Sequence, residues 1–394
     1  MRHSPIAAGL LTLASHRELL AQAERCGCGY AVNQTVHPEF ALFTDYFETD
    51  FLHTTDISAT SEEASRGVPW RPQAYNTSAK ITRGSYATSK QLRNIIPNPL
   101  PSGRWGGEPA NGGDAGLQLW VRHSLDDDRV PIAEISSPRE DILYGSFRAA
   151  VKFSGNNGTC GAFFWYRNDT QEIDIEFLSR EPQEVNFVVH SPESDLPSRS
   201  IKGSGALGVI DRSESAMPWW SFMRFAEGFH EYRFDWMPDR IDFYVDGLPA
   251  WTTTKNIPDS PGHLMLSHWS NGGASWTGGP PMEDAVMTVG YVKAYFNTTT
   301  SGDEPAAACR DLQSNAVCVI PEQEWPPEPR GQKTHFFSMP GEERDHVNTS
   351  GLAGFPASGS GAKSDHSIAA WFGMKNFVWY FVGGVCSVVY CLAS

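Results

Sequence analysis

The feature that most constrains the fold is a short segment, residues 171–177, in which three carboxylates alternate with apolar side chains. Successive side chains of a β-strand point to opposite faces, so Glu172, Asp174 and Glu176 would share one face and the isoleucines the other. A helix would instead bring like charges together at i,i+4, which is unfavourable, and β-branched residues favour strands. The segment therefore predicts a strand with one face in a core and three acids on the other.

Three acids on one strand face have either a structural or a catalytic interpretation. The structural interpretation is a solvated acidic face. The catalytic interpretation is that crowded carboxylates cannot all ionise freely, so that their pKa values are pushed apart. Cleavage of a glycosidic bond needs such a pair, with one ionised nucleophile and one protonated acid. The sequence around the segment favours the catalytic interpretation.

Several blocks on either side of the acidic segment resemble glycoside hydrolase family 16, and its fungal secreted or wall-bound members most. They lie at residues 144–148, 158–166, 168–179, 230–236, 239–247 and 267–271, and the resemblance covers roughly residues 36–298. The resemblance implies an all-β fold, a jelly-roll β-sandwich of the concanavalin A-like type. It also implies the chemistry of retaining β-glucanases and related transglycosylases.

The resemblance assigns roles to the acidic trio. Glu172 would be the nucleophile, Glu176 the general acid/base, and Asp174 the residue that holds the geometry and charge of the nucleophile. The direct E-x-D-x-E spacing is similar to that of the mixed-linkage glucanase and wall-transglycosylase branches. Thr170 and Gln171 stand where bacterial mixed-linkage enzymes commonly have Trp-Asp, so the linkage preference stays open.

Four further residues are candidates for binding the sugar chain: Trp269, Asn271, His190 and Trp276. Trp269 matches a cleft tryptophan of the family, with Asn271 beside it, and packing in the core is the alternative. His190 matches a cleft tyrosine of bacterial relatives, and a buried, hydrogen-bonded histidine is the alternative. Trp276 would wall the same cleft, or simply pack its own loop.

Composition and short motifs indicate an exported glycoprotein. The formal net charge of −15 argues against nucleic acid and anionic membrane surfaces as partners. Residues 1–23 resemble a signal peptide with an A-x-A cleavage site. Six Asn-X-Ser/Thr sequons predict N-glycosylation at Asn33, Asn76, Asn157, Asn168, Asn297 and Asn348.

Seven cysteines are consistent with an oxidising compartment. Cys309 and Cys318 lie close in sequence just after the predicted sandwich, and we expect them to form a local disulfide. Cys26, Cys28 and Cys160 have no obvious arrangement. The remaining two, Cys386 and Cys391, lie in an apolar tail.

The chain divides into one large domain with extensions at both ends. After the signal peptide we expect the sandwich over residues 24–300, a disulfide-bearing extension over 301–325 and a disordered linker over 326–370. Residues 371–394 form a hydrophobic tail that is either a transmembrane helix or an anchor signal. Because no Lys or Arg follows the tail, we favour a glycosylphosphatidylinositol anchor.

The sequence thus predicts a retaining endo-β-glucanase that hydrolyses β-1,3/β-1,4-glucans at the cell surface or wall. A cell-wall transglycosylase that uses the same covalent intermediate is the first alternative, and a non-catalytic glucan-binding wall protein is the second. We expect β-glucan polysaccharide as the partner and a monomer attached to the membrane by its C-terminal anchor. No cofactor is required, although the resemblance allows a structural calcium ion.

Overall fold

A computed structural model of the chain describes most of the predicted sandwich and two short pieces beyond it. The described residues are 26, 28–32, 41–57, 70–101, 104–109, 111–137, 139–153, 157–190, 198–202, 225, 228–299, 317–321 and 336–337. The predicted signal peptide and hydrophobic tail, together with Asn33, Asn348 and Cys309, lie outside them.

The regular secondary structure of the described residues is almost entirely β. The first ten strands are β1 Gly29–Val32, β2 Ala41–Phe43, β3 Asp45–Asp50, β4 Arg71–Pro72, β5 Asn76–Thr77, β6 Ala87–Lys90, β7 Ile95–Asn98, β8 Gly116–Val121, β9 Arg129–Ser136 and β10 Ile142–Phe153. The others are β11 Cys160–Asn168, β12 Gln171–Leu178, β13 Glu184–His190, β14 Ser198–Lys202, β15 His230–Trp236, β16 Ile241–Val245, β17 Leu248–Thr253, β18 His263–Trp269, β19 Ala285–Thr298 and β20 Val317–Val319. A short helix α1, Ala79–Thr82, and a 3₁₀ turn, Leu92–Asn94, interrupt them.

The strands form two large sheets and one small sheet. Sheet A has the order β14-β13-β12-β11-β18-β9-β6-β5, with β4 paired to β9. Sheet B has the order β17-β16-β15-β10-β19-β8-β7, with β3 paired to β19. The small sheet has the order β2-β1-β20. Most pairs are antiparallel and many neighbours are distant in sequence, so the predicted jelly-roll β-sandwich is confirmed.

The core lies between sheets A and B and is built largely from aromatic rings. Trp165 of sheet A packs against Trp236 of sheet B with ring centroids 4.3 Å apart, and Phe163 meets Phe234 at 5.5 Å. Both indoles are satisfied inside the core, because Trp165 Nε1 donates to the carbonyl of Ile142 and Trp236 Nε1 to that of Pro258. The pairs hold the two sheets together through burial of aromatic surface.

The outer face of sheet B, turned away from this core, is contacted by two phenylalanines that come after the predicted sandwich in the sequence. Phe337 packs against Tyr30 and Tyr295, and Phe336 against Tyr291. Both phenylalanines are buried, although they fall within the predicted disordered linker. That prediction is therefore wrong for these two residues, which dock on the sandwich because it offers them an aromatic surface.

The predicted Cys309–Cys318 disulfide is also wrong. Cys318 is bonded to Cys26, with Cα atoms 5.2 Å apart and a sequence separation of 292 residues. The physical reason is the parallel pairing of β1 with β20, which sets Tyr30 opposite Cys318 and brings the two sulfur atoms together. Cys28 is disulfide-bonded as well, whereas Cys160 is a buried thiol that is not part of a disulfide.

We expect this cross-link to contribute to stability. Replacing both Cys26 and Cys318 with alanine should lower the free energy of unfolding by about 2–4 kcal/mol, because the open chain gains conformational freedom when unfolded. Urea denaturation of the variant and the wild type measures the difference. Peptide mapping without reduction should recover the Cys26–Cys318 peptide pair, and a Cys309–Cys318 pair would contradict the structure.

Four of the predicted glycosylation sites fall within the described residues. Asn76, Asn157 and Asn168 are exposed, whereas Asn297 is half-buried and its side-chain oxygen accepts a hydrogen bond from the Thr44 backbone. The structure also bears on membrane attachment in one respect: within the described ranges, no helix is both long and apolar enough to cross a membrane.

Candidate active site

The acidic trio lies near the middle of sheet A, on β12. The isoleucines Ile173 and Ile175 point into the core between the sheets. Glu172, Asp174 and Glu176 point to the outer face of sheet A and are nevertheless buried, with only 2%, 4% and 6% of their surfaces exposed. The predicted division of this strand into an apolar and an acidic face is confirmed.

The register of β11 with β12 fixes which of its side chains share the acidic face. Tyr166 pairs with Glu172 and Phe164 with Asp174, so both rings lie beside the carboxylates. Trp165 then points the other way, into the core. The sequence alone left the orientation of β11 open, because both of its faces are apolar.

His190 is brought directly to the acidic trio by β13, where it pairs with Glu172. Its Nε2 lies 3.2 Å from Asp174 Oδ2 and 3.9 Å from Glu172 Oε2. Those two carboxylate oxygens are buried and accept no hydrogen bond. His190 therefore faces the acidic trio itself, and its role in binding sugar stays a prediction.

Burial and crowding alter the acidity of Glu172. Removal from water raises its pKa well above the usual range, and the neighbouring charge of Asp174 raises it further. Crowding by the like charges of Asp174 and Glu176 thus acts in the same direction as burial.

The pKa of Glu176 is raised into the range that suits a general acid. Burial, with the charge of Asp174 as a second cause, raises the pKa of Glu176 to about 8. The thiol of Cys160, whose Sγ lies 3.4 Å from Glu176 Oε1, acts in the opposite direction, as does the indole of Trp276. Glu176 is therefore mostly protonated at neutral pH, as proton donation to a leaving group requires.

The predicted tryptophans Trp269 and Trp276 form an aromatic wall next to Glu176. Trp269 is the last residue of β18, pairs with Cys160, and is grouped with Cys160 and Leu178 in one apolar cluster. Trp276 and Tyr86 pack against the same cluster. Neither indole N–H makes a well-formed hydrogen bond within the protein, although both are buried. The wall thus combines flat apolar surface with donors that a sugar hydroxyl could use.

Asn271 is held by hydrogen bonds within the protein, and its role in binding sugar stays a prediction. Its Nδ2 donates to the carbonyl of Thr82 at 2.7 Å, and its Oδ1 accepts from the backbone N–H of Gly273 at 2.9 Å. The amide is therefore used within the protein to shape the loop that carries Trp276. A second constraint on that loop is Gly279, where any Cβ would lie 2.0 Å from the carbonyl oxygen of Gly158.

A cavity of about 340 Å³ continues the acidic face beyond Tyr166, toward β18 and β9. Buried Glu134 lies in its lining and accepts hydrogen bonds from Ser267 at 3.0 Å and Tyr75 at 3.3 Å, with Lys90 Nζ 3.5 Å away. This carboxylate was not predicted from the sequence. Its signal was a single acidic residue, Glu134, within the otherwise largely apolar β9.

A larger depression of about 470 Å³ lies elsewhere, between Arg93, Arg122 and Asp284. None of the acidic trio lines it. Its arginines are already paired, Arg122 with Asp284 at 2.9 Å and Arg93 with Asp126 at 3.1 Å. We therefore assign the chemistry to the acidic face of sheet A.

The same face also holds a group of side chains that could bind a metal ion. Glu172, Asp174 and His190 place three potential ligand atoms within 4.8 Å of one another, and the described ranges hold no second group of this kind. We interpret these atoms as catalytic groups, because the carboxylates have the alternating arrangement that glycosidic cleavage uses. The structural calcium ion allowed by the sequence stays a prediction.

Comparison with known proteins gives one family and several relatives. Residues 104–292 match the family model described as Glycosyl hydrolases family 16. A beta-glucanase of Acetivibrio thermocellus is 33% identical over 164 residues, which are 39% of this chain and 43% of that protein. A beta-glucanase of Paenibacillus macerans is 35% identical over 141 residues, 34% of this chain and 52% of that protein. The chain thus spans about half the length of these relatives.

Solved structures also align with the chain. The beta-glucanase of Bacillus licheniformis aligns with a TM-score of 0.47 and 21% identity, covering 64% of this chain and 97% of that structure. The endo-beta-1,3-glucanase of Pyrococcus furiosus aligns with a TM-score of 0.45 and 18% identity, covering 67% of this chain and 97% of that structure.

Proposed function

Because the chain belongs to glycoside hydrolase family 16, we propose that it is a retaining endo-β-glucanase that cleaves β-1,3/β-1,4-glucans. The observation that carries the proposal is the buried trio on the outer face of sheet A, in which Glu176 has a pKa of about 8. The matched relatives are named beta-glucanases, which supports the substrate class. A purely glucan-binding protein has no need for three crowded carboxylates.

The first chemical step forms a glycosyl-enzyme. The ionised carboxylate of Glu172 attacks the anomeric carbon of a β-linked glucosyl unit, while the glycosidic C–O bond breaks. Glu176 gives its proton to the departing oxygen, so that a neutral hydroxyl leaves. The step requires Glu172 in its ionised form, against the effect of burial, which raises its pKa.

The second step releases the product with its configuration retained. Glu176, now ionised, takes a proton from a water molecule as that water attacks the anomeric carbon. The ester bond to Glu172 breaks and the carboxylate is regenerated. Two inversions at one carbon give a β-configured product.

Strand geometry requires the two glutamates to lean toward each other. Residues four apart on a strand have Cα atoms roughly 13 Å apart, whereas the carboxyls of a retaining site lie at about 5–5.5 Å. Asp174 lies between them and can hold their charges and positions. Glu172 and Glu176 do influence each other electrostatically, since the charge of Glu176 is one of the causes that raise the pKa of Glu172.

We propose export for the protein, with attachment at the cell surface. The Cys26–Cys318 disulfide supports an oxidising compartment, and the exposed Asn76, Asn157 and Asn168 support glycosylation. The glycosylphosphatidylinositol anchor, the monomeric state and the resemblance to fungal members stay predictions from the sequence. A phospholipase that releases the protein from membranes would test the anchor.

Product analysis tests the proposed function. Purified protein incubated with laminarin and mixed-linkage glucan should give shorter oligosaccharides, and NMR taken at the start of the reaction should detect the β-anomer first. Products longer than the substrate would favour the transglycosylase, because a sugar hydroxyl then replaces water in the second step. An initial α-anomer, or no reaction on either polymer, would contradict the proposal.

A further inference from the structure

A buried cysteine thiol contacts the proposed general acid from the neighbouring strand. Cys160 is completely buried, and its Sγ lies 3.4 Å from Glu176 Oε1, within the distance for a hydrogen bond to sulfur. The same Sγ also lies 3.6 Å from the backbone carbonyl oxygen of Gly161. The contact follows from register: Ala162 pairs with Glu176, so Cys160, two residues earlier on the same face, is a diagonal neighbour of the carboxylate.

We propose that Cys160 is a positioning residue for Glu176, whose thiol donates to Oε1 and so reserves the other carboxyl oxygen for the substrate. The inference rests on the proposed function, in which Glu176 is the acid/base. A carboxyl oxygen that already accepts a hydrogen bond is the poorer site for the acidic proton. The proton therefore resides on the opposite oxygen, where the leaving group can take it.

The groups facing Glu176 leave few other donors for this task. On its own strand the neighbours are Asp174 and Glu172, both acceptors when ionised. From β13 it faces Asn186, whose buried Nδ2 makes no hydrogen bond within the protein. From the loop after β18, the Trp276 indole approaches it. His190 lies beyond Asp174, which it contacts.

A thiol suits this position because its surroundings are apolar. Cys160 belongs to one buried cluster with Leu178 and Trp269. A weak donor keeps Glu176 oriented and opposes the raised pKa only modestly, whereas a strong donor would favour the ionised form and weaken the acid. The contact is thus a compromise between orientation and acidity.

Two variants of similar size separate orientation from packing. Cys160→Ala and Cys160→Ser both remove the sulfur, but only the serine keeps a donor. NMR titration of ¹³C-labelled glutamate carboxyls, with the Glu176 signal assigned by its loss in Glu176→Gln, measures the acid directly. We expect Cys160→Ala to raise the pKa of Glu176 by roughly half to one unit, and Cys160→Ser to leave it at or below the wild-type value.

Activity provides the second readout. In Cys160→Ala the alkaline limb of the pH profile should move upward with the pKa, and kcat on glucan should fall more than kcat on an aryl glycoside whose leaving group needs no proton. Cys160→Ser should restore both. Coincident titration curves for the wild type and Cys160→Ala would overturn the inference. A wild-type protein inactive on every glucan would refute the proposed function, while the titration would still decide the contact.

Discussion

Glu176→Gln is expected to lower kcat on β-glucan by roughly 10²–10⁴-fold, because glutamine cannot donate the proton that the leaving oxygen needs. Glu172→Gln should lower it at least as far, because the amide is a poor nucleophile and no covalent intermediate forms. The two variants should differ on an aryl β-glycoside with an acidic phenol as leaving group. Glu176→Gln should keep appreciable activity there, and Glu172→Gln should not.

Added azide sharpens the distinction between the two roles. With Glu172→Ala and an activated substrate, azide can occupy the space of the lost carboxylate, attack once, and give an α-glycosyl azide. With Glu176→Ala the covalent intermediate still forms, and azide that attacks it should give a β-glycosyl azide. NMR of the isolated products reports the configuration, and exchanged configurations would reverse the assignment.

A control must separate loss of chemistry from loss of structure. Glu108→Gln makes the same chemical change at an exposed position, and we expect wild-type kcat. Circular dichroism should give the same spectrum for all variants, because the trio lies outside the core between the sheets. A Glu172→Gln enzyme that still turns over natural glucan would exclude Glu172 as the nucleophile.

Trp165→Ala is expected to lower the free energy of unfolding by about 3–5 kcal/mol. The indole is fully buried between the sheets, stacks near Trp236, and donates a hydrogen bond to the carbonyl of Ile142. Its removal leaves a cavity at the point where sheets A and B meet and takes one of two hydrogen bonds from the Ile142 carbonyl, which still accepts from the Gly262 backbone. Urea denaturation followed by circular dichroism measures the change.

Trp120→Ala is the matched control for this prediction. Trp120 lies on β8 and is only half-buried, with its ring beneath the guanidinium of Arg122. We expect Trp120→Ala to lower the free energy of unfolding by well below half as much as Trp165→Ala, because a half-buried ring leaves no closed cavity. Equal effects of the two substitutions would contradict the view that the inter-sheet aromatic pairs carry the stability of the sandwich.

The parts of the fold that the sequence predicted are those that depend on local periodicity. The alternation around Asp174 determined both the strand and its two faces, because side-chain direction in a strand needs only neighbouring residues. The orientation of β11 depends on register with β12, which an apolar strand such as Phe163 to Tyr166 does not reveal by itself. Glu134 was missed because a single carboxylate within a largely apolar strand gives a weaker signal than three that alternate.

The failed predictions depended on contacts between distant parts of the chain. Spacing suggested a local Cys309–Cys318 bond, but β1 and β20 meet only in the folded molecule, and their pairing selects Cys26 as the partner. The hydrogen bonding of Asn271 depends on a distant contact as well. Its hydrogen bond to Thr82, 189 residues away, could not be foreseen from spacing.

The small sheet has a practical consequence for how the protein can be attached to other material. Cys26, β20 and Phe337 lie on the outer face of sheet B, whereas Glu172 and Glu176 line the outer face of sheet A, across the full thickness of the sandwich. A bead, a carrier domain or a membrane joined to the chain directly after Phe337 would be attached on the sheet B side, opposite the acidic trio. The glucan-facing side would then stay open to a polymer approaching from the opposite direction.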